Sequence, residues 1–147
     1  MNAILRFLAV LFATLLAGCA STADTRATVG ADKVVYHLNE GLAQATNGLR
    51  NIRNHLEVNP KAQITVIAHA QGVDFMMQGR TDPNGNRYED IVSDLKGQGV
   101  KFGVCEITLR NRKLTKAQFI DDAEYVPSGV AEIARLQQRE GFAYLRP

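Results

Sequence analysis

Five short segments of the chain carry the runs of apolar, β-branched and aromatic residues that predict β-strands. Polar residues, glycine or proline bound each run, and the second run is nearly continuous, as expected of a strand covered on both faces. The predicted strands are residues 33–37, 63–68, 100–104, 124–126 and 142–145. The side chains predicted to form the core of the sheet are Ile64, Val66, Ile67, Val100, Phe102 and Val104.

Between the predicted strands, apolar residues recur at spacings of three and four, which is the spacing of one helix face. Three long runs follow this rule, in residues 43–56, 88–96 and 129–139. Shorter helical turns are expected at residues 72–77, 107–112 and 115–118. The segment 80–87 contains Asp-Pro and Asn-Gly and is the strongest loop signal in the chain. Strands that alternate with helices form βαβ units, so we predict an α/β fold with a parallel sheet and helices on both faces.

The start of the chain has the pattern of a secretory signal. An apolar run over residues 7–16 follows a basic start, and at about 1.5 Å per residue it is too short to cross a bilayer of about 30 Å. Leu16-Ala17-Gly18-Cys19 then resembles the lipobox of bacterial lipoproteins, in which the cysteine is acylated and becomes the mature N-terminus. The alternative is a buried N-terminal helix that contains a cysteine by chance.

The lipobox interpretation divides the chain into three parts. We predict a signal peptide over residues 1–18, a lipidated flexible tether over residues 19–32 and one folded domain over residues 33–147. The tether is small and polar without apolar periodicity. By resemblance to sorted lipoproteins, Ala20 after the cysteine favours the outer membrane. The expected location is therefore the periplasmic side of the cell envelope, with the lipid on Cys19 as the membrane anchor.

The composition is typical of a globular domain and argues against a nucleic-acid binder. Hydrophobic residues make up 46% of the chain and charged residues 22%, which excludes a disordered protein. The balance of 17 basic and 15 acidic residues leaves a net charge of +2, which is too even for a nucleic-acid partner. We predict no cofactor.

Residues able to do chemistry collect where the predicted strands end, which is where ligands bind in open parallel α/β sheets. The candidates are His37 and Asn39 after the first strand, His69 and Gly72 after the second, and Cys105 and Glu106 after the third. We predict that Cys105 and His69 are catalytic and that the other four residues bind a ligand. If sequential strands are neighbours, about 4.8 Å apart, Cys105 and the two histidines lie close together.

Cys105 has two interpretations at this stage. A cysteine that faces the first turn of a helix has its reactive thiolate form stabilised by unpaired amide N–H groups, and residues 107–112 would supply that turn. The alternative is a buried cysteine that packs as a small apolar side chain. If Cys19 is acylated, Cys105 has no partner within the chain, which excludes a Cys-X-X-Cys disulfide mechanism.

The histidines have structural alternatives as well. His69 could act on the thiolate directly, as a positive partner, and His37 through a ligand, or each could bond only to a backbone carbonyl. Together with Cys105 they could also form a zinc site with an open position, but no close pair such as His-X-X-X-His supports it, and we predict no metal. His55 lies among asparagine and arginine in the first helix and is expected to be a solvated surface residue.

From Lys33 onward the chain resembles the DsrE/DsrF-like family of sulfur-relay proteins. The matching segments are residues 33–39, 66–72, 99–109, 114–116, 125–129 and 141–147. The resemblance implies a three-layer α/β/α fold with a five-stranded parallel sheet, and it implies assembly into homo-oligomers. In sulfur-relay members a cysteine at the end of the third strand carries a persulfide, and Cys105 occupies that position.

Three functions compete on these grounds. The leading hypothesis is a sulfur carrier or sulfurtransferase-like protein, in which Cys105 exchanges a sulfane sulfur with a donor or acceptor protein or with a small sulfur compound. The second is a non-enzymatic envelope module that binds a small ligand or a protein partner at the ends of the strands. A Cys-His hydrolase ranks third, because no nucleophile-elbow pattern surrounds Cys105.

Overall fold

A computed structural model describes residues 31–147, which form a five-stranded sheet with helices on both of its faces. The elements follow in the order β1 (Lys33–Leu38), α1 (Leu42–Val58), β2 (Gln63–Ala68), α2 (Tyr88–Gly97), β3 (Lys101–Cys105), α3 (Glu106–Arg112), β4 (Glu124–Val126), α4 (Gly129–Glu140) and β5 (Ala143–Leu145). Short 3₁₀ helices occupy Ala70–Met76 and Lys116–Gln118. The predicted signal peptide, Cys19 and nearly all of the predicted tether lie outside the described residues.

All five strands are parallel, in the order β4-β3-β2-β1-β5. The first four strands are therefore neighbours in chain order, and β5 returns to the free side of β1. This arrangement confirms the predicted parallel α/β sheet. Because every strand points the same way, all carboxyl ends meet at one edge of the sheet, which we call the carboxyl edge; the opposite edge is the amino edge.

The two faces of the sheet are covered unequally. Alternate side chains of a strand point to opposite faces, and the face that carries Val66, Phe102 and Val104 is packed against α1, α2 and the first 3₁₀ helix. We call it the broad face. The other face, the narrow face, is covered by α4, whose Ile133 and Leu136 lie in one apolar cluster with side chains of β1 and β2. The side chains predicted as core are all 2% exposed or less.

The turn after β2 differs from its predicted bounds. The 3₁₀ helix begins at Ala70 instead of residue 72, because His69 keeps an extended backbone and Ala70 then turns the chain with a φ of +51°. Gly72 is buried in this turn. A methyl group there would lie 2.1 Å from the carbonyl oxygen of Leu38, so only glycine allows the turn to pack on the end of β1.

His55 is not the solvated residue that its polar neighbours suggested. Its Nδ1 lies 3.1 Å from the hydroxyl of Tyr36 and its Nε2 lies 3.1 Å from Oδ2 of Asp32. Asn59 donates to the same carboxylate oxygen at 2.8 Å. The side chain is half-buried because these partners, from β1 and from the residues before it, cover the end of α1.

No helix within residues 31–147 has the length and apolar character needed to cross a membrane.

Candidate functional site

Strand register brings Cys105, His69 and His37 to the carboxyl edge. Ala68, the last residue of β2, pairs with Val104 of β3, so the next residues, His69 and Cys105, lie side by side on adjacent strands. The two histidines and the cysteine continue the odd-numbered series of strand residues that faces α4. They therefore meet on the narrow face, on three neighbouring strands, as the sequence predicted.

Gly129, the first residue of α4, packs between two of these side chains. A methyl group at this position would lie 3.2 Å from Cβ of His69 and 3.3 Å from Cβ of Cys105, which is closer than the usual contact of about 3.5–4.0 Å between carbon atoms. The missing side chain lets the N-terminus of α4 approach the cysteine. Ser128 caps this helix, since its hydroxyl accepts from the N–H of Ala131 at 3.4 Å.

Cys105 is buried, at 4% exposure, and is the N-cap residue of α3. Burial by itself would raise the pKa of the thiol, but the N–H groups of Gly129, Thr108 and Ile107 and the hydroxyl of Thr108 together outweigh it, and the pKa is lowered. The sulfur of Cys105 does not accept a capping hydrogen bond of ordinary geometry from the first turn of α3. These donors nevertheless face the sulfur and favour its anionic form.

Thr108 is a site residue that the sequence analysis missed. It is buried, and its Oγ1 accepts a hydrogen bond from the N–H of Ala70 at 2.9 Å. Because the oxygen is used as an acceptor, the hydroxyl proton is available to the sulfur of Cys105. A threonine three residues after an N-cap position was the available signal, since this is where capping groups find their partners.

A cavity of about 570 Å³ opens beside Cys105, within the range of about 300–1,000 Å³ that holds small ligands. Its wall includes the exposed apolar side chains Ile107 and Val130. Besides Cys105 and these two side chains, the cavity is lined by His69, Ala70, Gln71, Thr108, Asn111, Arg112 and Ser128. A small molecule in the cavity can therefore reach the Cys105 thiol, whereas the surface of a folded protein cannot.

His37 and His69 bind each other directly. Their Nε2 atoms are 2.6 Å apart, and Nδ1 of His37 lies 2.7 Å from the hydroxyl of Tyr144. Burial, followed by the nearby His69 and Arg146, lowers the pKa of His37 to about 4, and burial also lowers the pKa of His69. Both rings are thus neutral near pH 7, whereas the sequence-based hypothesis placed a positive His69 beside the thiolate. No hydrogen bond of residues 31–147 joins His69 to Cys105.

The remaining predicted ligand-binding residues do not line the cavity. Asn39 is half-buried, and its Oδ1 is buried without a hydrogen-bond partner in the described part of the chain. Gly72 packs against β1, as described above. Glu106 turns away to Lys116, with its carboxylate 2.7 Å from Nζ, and this ion contact lowers the pKa of Glu106. Across residues 31–147, no three His, Cys, Asp or Glu side chains are grouped to hold a metal ion.

The fold and the site together define a parallel α/β protein with a thiol at the carboxyl edge of its sheet, where two helices begin. The family model described as the DsrE/DsrF-like family matches residues 19–147, and the chain belongs to this family. The resemblance recognised in the sequence segments is thereby confirmed.

Solved structures agree with the family assignment. The protein of unknown function MTH1491 from Methanobacterium thermoautotrophicum is similar with a TM-score of 0.70 and 32% identity, over 79% of this chain and 99% of that chain. The ychN protein from E. coli is similar with a TM-score of 0.66 and 17% identity, over the same shares, 79% and 99%; at this identity the similarity shows the fold alone. A search of curated proteins found no match.

Proposed function

We propose that this protein is a cell-envelope sulfur carrier in which Cys105 receives a sulfane sulfur and passes it to a partner. The observation that carries the proposal is the surroundings of Cys105, a buried thiol whose anion is favoured by several N–H donors and which borders a cavity open to small molecules. Membership of the DsrE/DsrF-like family supports sulfur relay as the general role.

The sulfur transfer takes place at the Cys105 sulfur. In loading, the Cys105 thiolate attacks the outer sulfur of a donor persulfide R–S–SH, a new S–S bond forms, the S–S bond of the donor breaks, and R–S⁻ leaves. In unloading, an acceptor thiolate attacks the outer sulfur of the Cys105 persulfide, and Cys105 leaves as a thiolate. The N–H groups of Ile107, Thr108 and Gly129 favour Cys105 both as the nucleophile and as the leaving group.

The test is mass spectrometry on the domain from Ser21 onward, in which Cys105 is the only thiol. After incubation with glutathione persulfide, Cys105 should gain about 32 Da, the mass of one sulfur atom, and should lose it on reduction. Cys105→Ser is the control and should gain nothing. A Cys105 that stays unmodified, and that reacts with iodoacetamide only after denaturant is added, would contradict the carrier function.

A second candidate function is a non-enzymatic module that binds a small ligand in the same cavity. The exposed Ile107 and Val130 at the cavity favour it, because apolar side chains of this kind line ligand sites. Thiol reactivity separates the two functions: a carrier modifies Cys105, whereas a binding module keeps it unmodified while the ligand binds.

The proposal includes attachment to the outer membrane on the periplasmic side, as a homo-oligomer that meets its sulfur donor and acceptor there. The lipobox-like Leu16-Ala17-Gly18-Cys19 supports the anchor. In bacterial cells the parent protein should incorporate palmitate and the Cys19→Ala variant should not. Equal labelling of the two, with equal extraction by detergent, would contradict the anchor.

A further inference from the structure

Side-chain hydrogen bonds lead from the cavity at Cys105 to the surface of the domain. His69 lines the cavity and contacts His37 through the two Nε2 atoms at 2.6 Å. His37 in turn contacts the hydroxyl of Tyr144 at 2.7 Å, and Tyr144, on the edge strand β5, is 41% exposed. The chain of contacts therefore reaches from a wall of the cavity to solvent.

The chemistry of imidazole allows two arrangements of protons along this chain. Two ring nitrogens at hydrogen-bond distance share one proton, so one ring donates and the other accepts. If His69 donates through Nε2, its Nδ1 is bare and His37 donates through Nδ1 to Tyr144. If Tyr144 donates to Nδ1 of His37, then His37 donates through Nε2 and His69 carries its proton on Nδ1. The two arrangements hold the same number of protons and differ in whether His69 offers a base or an acid at Nδ1.

Nδ1 of His69 is the end of this chain at the cavity. The only hydrogen bond that His69 makes to other described side chains uses Nε2, which leaves Nδ1 for a molecule in the cavity that His69 lines. A thiol that enters to reach Cys105 comes close to the His69 ring, because a methyl group on Gly129 would lie 3.2 Å from Cβ of His69 and 3.3 Å from Cβ of Cys105.

Charged groups lie on both sides of the histidine pair. Arg146 lies on the His37 side and pairs with Glu40. Arg112 lies on the cavity side and is held by Asp74 at 2.6 Å. Cys105 and Tyr144 are the other titratable groups around the pair. Burial disfavours imidazolium in both rings, and His69 and Arg146 add to this effect at His37, so the pair can move protons without storing an extra one.

We propose that His69, His37 and Tyr144 form a proton relay for sulfur transfer at Cys105, an inference that rests on the proposed carrier function. In unloading, Nδ1 of His69 takes the proton of an acceptor thiol R–SH. The Nε2 proton of His69 moves to Nε2 of His37, the Nδ1 proton of His37 moves to the oxygen of Tyr144, and the proton of the tyrosine leaves to water. The thiolate R–S⁻ then attacks the outer sulfur of the Cys105 persulfide, forming R–S–SH and the Cys105 thiolate.

Loading runs the relay backwards. The R–S⁻ released by the donor takes the proton from Nδ1 of His69. Each proton then shifts back along the chain, and Tyr144 takes up a proton from water. The relay thus returns to its first arrangement after one loading and one unloading. His69 touches the reacting thiol and is the catalytic residue, whereas His37 and Tyr144 act through it and are positioning residues.

The experiment uses the purified full chain in detergent, loaded with glutathione persulfide and then discharged to one of two acceptors. One acceptor is an alkyl thiol that is protonated at pH 7, and the other is an aromatic thiol that is already ionised at pH 7. For the alkyl thiol, His69→Gln should slow discharge at pH 7 by about 100-fold, the lower end of the usual effect of general acid–base catalysis. The discharge rate of this variant should then rise about tenfold per pH unit, because only the fraction of the alkyl thiol that is already ionised in solution can react.

His37→Gln and Tyr144→Phe should also slow discharge to the alkyl thiol at pH 7, by less than His69→Gln does. In both variants the discharge rate should rise more steeply with pH than in the parent. For the ionised aromatic thiol, all three variants should discharge at the parent rate, because no proton has to move. His55→Gln is the matched control, since His55 also contacts a tyrosine but lies away from the cavity, and it should discharge to both acceptors as the parent does.

The outcomes separate the relay from the carrier function. A parent chain that loads, with His69→Gln and Tyr144→Phe that discharge to the alkyl thiol at the parent rate, would overturn the relay alone. Variants that are slowed equally for both acceptors would also overturn it, because the histidine pair would then have only a structural role. A parent chain that cannot be loaded would overturn the carrier function and the relay with it.

Discussion

The sheet has one face packed under α1 and α2 and another covered by α4, and the two faces hold different kinds of residues. The broad face contains most of the buried apolar side chains, among them Val66, Phe102 and Val104. The narrow face has a small apolar cluster and, at its carboxyl end, Cys105 with the two histidines. A close-packed interior has no room for a substrate. The narrow face has less packing and leaves a cavity beside Cys105, where α3 and α4 begin, so the proposed chemistry lies on this face.

The largest expected effect is on the broad face. Val66→Asp would place a carboxylate in a closed apolar layer and should destabilise the domain by at least about 3 kcal/mol, a large part of the roughly 5–15 kcal/mol of a typical domain. Val58→Asp is the control, since Val58 is 87% exposed, and it should cost about 1 kcal/mol or less. Thermal melting measures both. A soluble Val66→Asp domain with the parent melting temperature would contradict a covered broad face.

The next effect concerns the donors on the narrow face. Thr108→Val removes the hydroxyl that faces the sulfur and should raise the pKa of Cys105 by about one to two units, because a hydrogen bond to a charged group contributes about 1.5–3 kcal/mol. The pH dependence of iodoacetamide alkylation gives the midpoint. Thr108→Ser keeps the hydroxyl and should keep the midpoint. If both variants titrate like the parent, the hydroxyl does not stabilise the thiolate.

A third change tests how closely α4 must approach the site. Gly129→Ala would press a methyl group against Cβ of both His69 and Cys105 and should cost about 1–2 kcal/mol, as overpacking usually does. Gly97→Ala, at the end of α2 where a methyl group meets nothing within 4 Å, should be neutral or stabilising by up to about 1 kcal/mol. Chemical denaturation compares them. Equal stabilities of the two variants would show that the narrow face tolerates a larger residue at α4.

The smallest expected effect is at Ala70, which has a φ of +51° beside the site. A left-handed backbone costs a non-glycine residue about 1–2 kcal/mol, and glycine costs about 0.5–1 kcal/mol through the unfolded chain, so Ala70→Gly should stabilise by about 1 kcal/mol or less. Ala134→Gly, at an exposed position inside α4, should instead destabilise by about 1 kcal/mol. Thermal melting compares the two variants. If Ala70→Gly lowered the melting temperature as much as Ala134→Gly does, the turn at Ala70 would carry no strain.

The strands and the parallel sheet could be predicted from the sequence, because strand patterns are local and strands that alternate with helices form parallel βαβ units. After Gln63, the run in residues 63–68 consists of apolar or β-branched residues, and β2 has the same bounds. The neighbouring positions of His37, His69 and Cys105 followed from the same rules, since parallel strands joined by helices end at one edge.

The errors concern contacts between segments that are distant in the chain. Thr108 was missed because its role depends on the turn at Ala70, in another crossover. His55 was expected to be solvated because its neighbours in the helix are polar, whereas its partners Tyr36 and Asp32 lie outside α1. The bond between His37 and His69 requires ring orientations that Tyr144 of the last strand helps to set. Periodicity describes which face a residue occupies and carries no information on such partners.

The contacts of Asp32 determine where the chain enters the domain relative to the thiol. Its backbone carbonyl accepts from the N–H of Gln63 at 2.6 Å, and its side chain is held by His55 and Asn59. The chain therefore enters the domain at the amino edge, and β1 has six residues, which at about 3.3 Å per residue separate this edge from the carboxyl edge by roughly 20 Å. The thiol at the carboxyl edge therefore lies at the end of the sheet opposite to the point where residues 31–32 enter the domain.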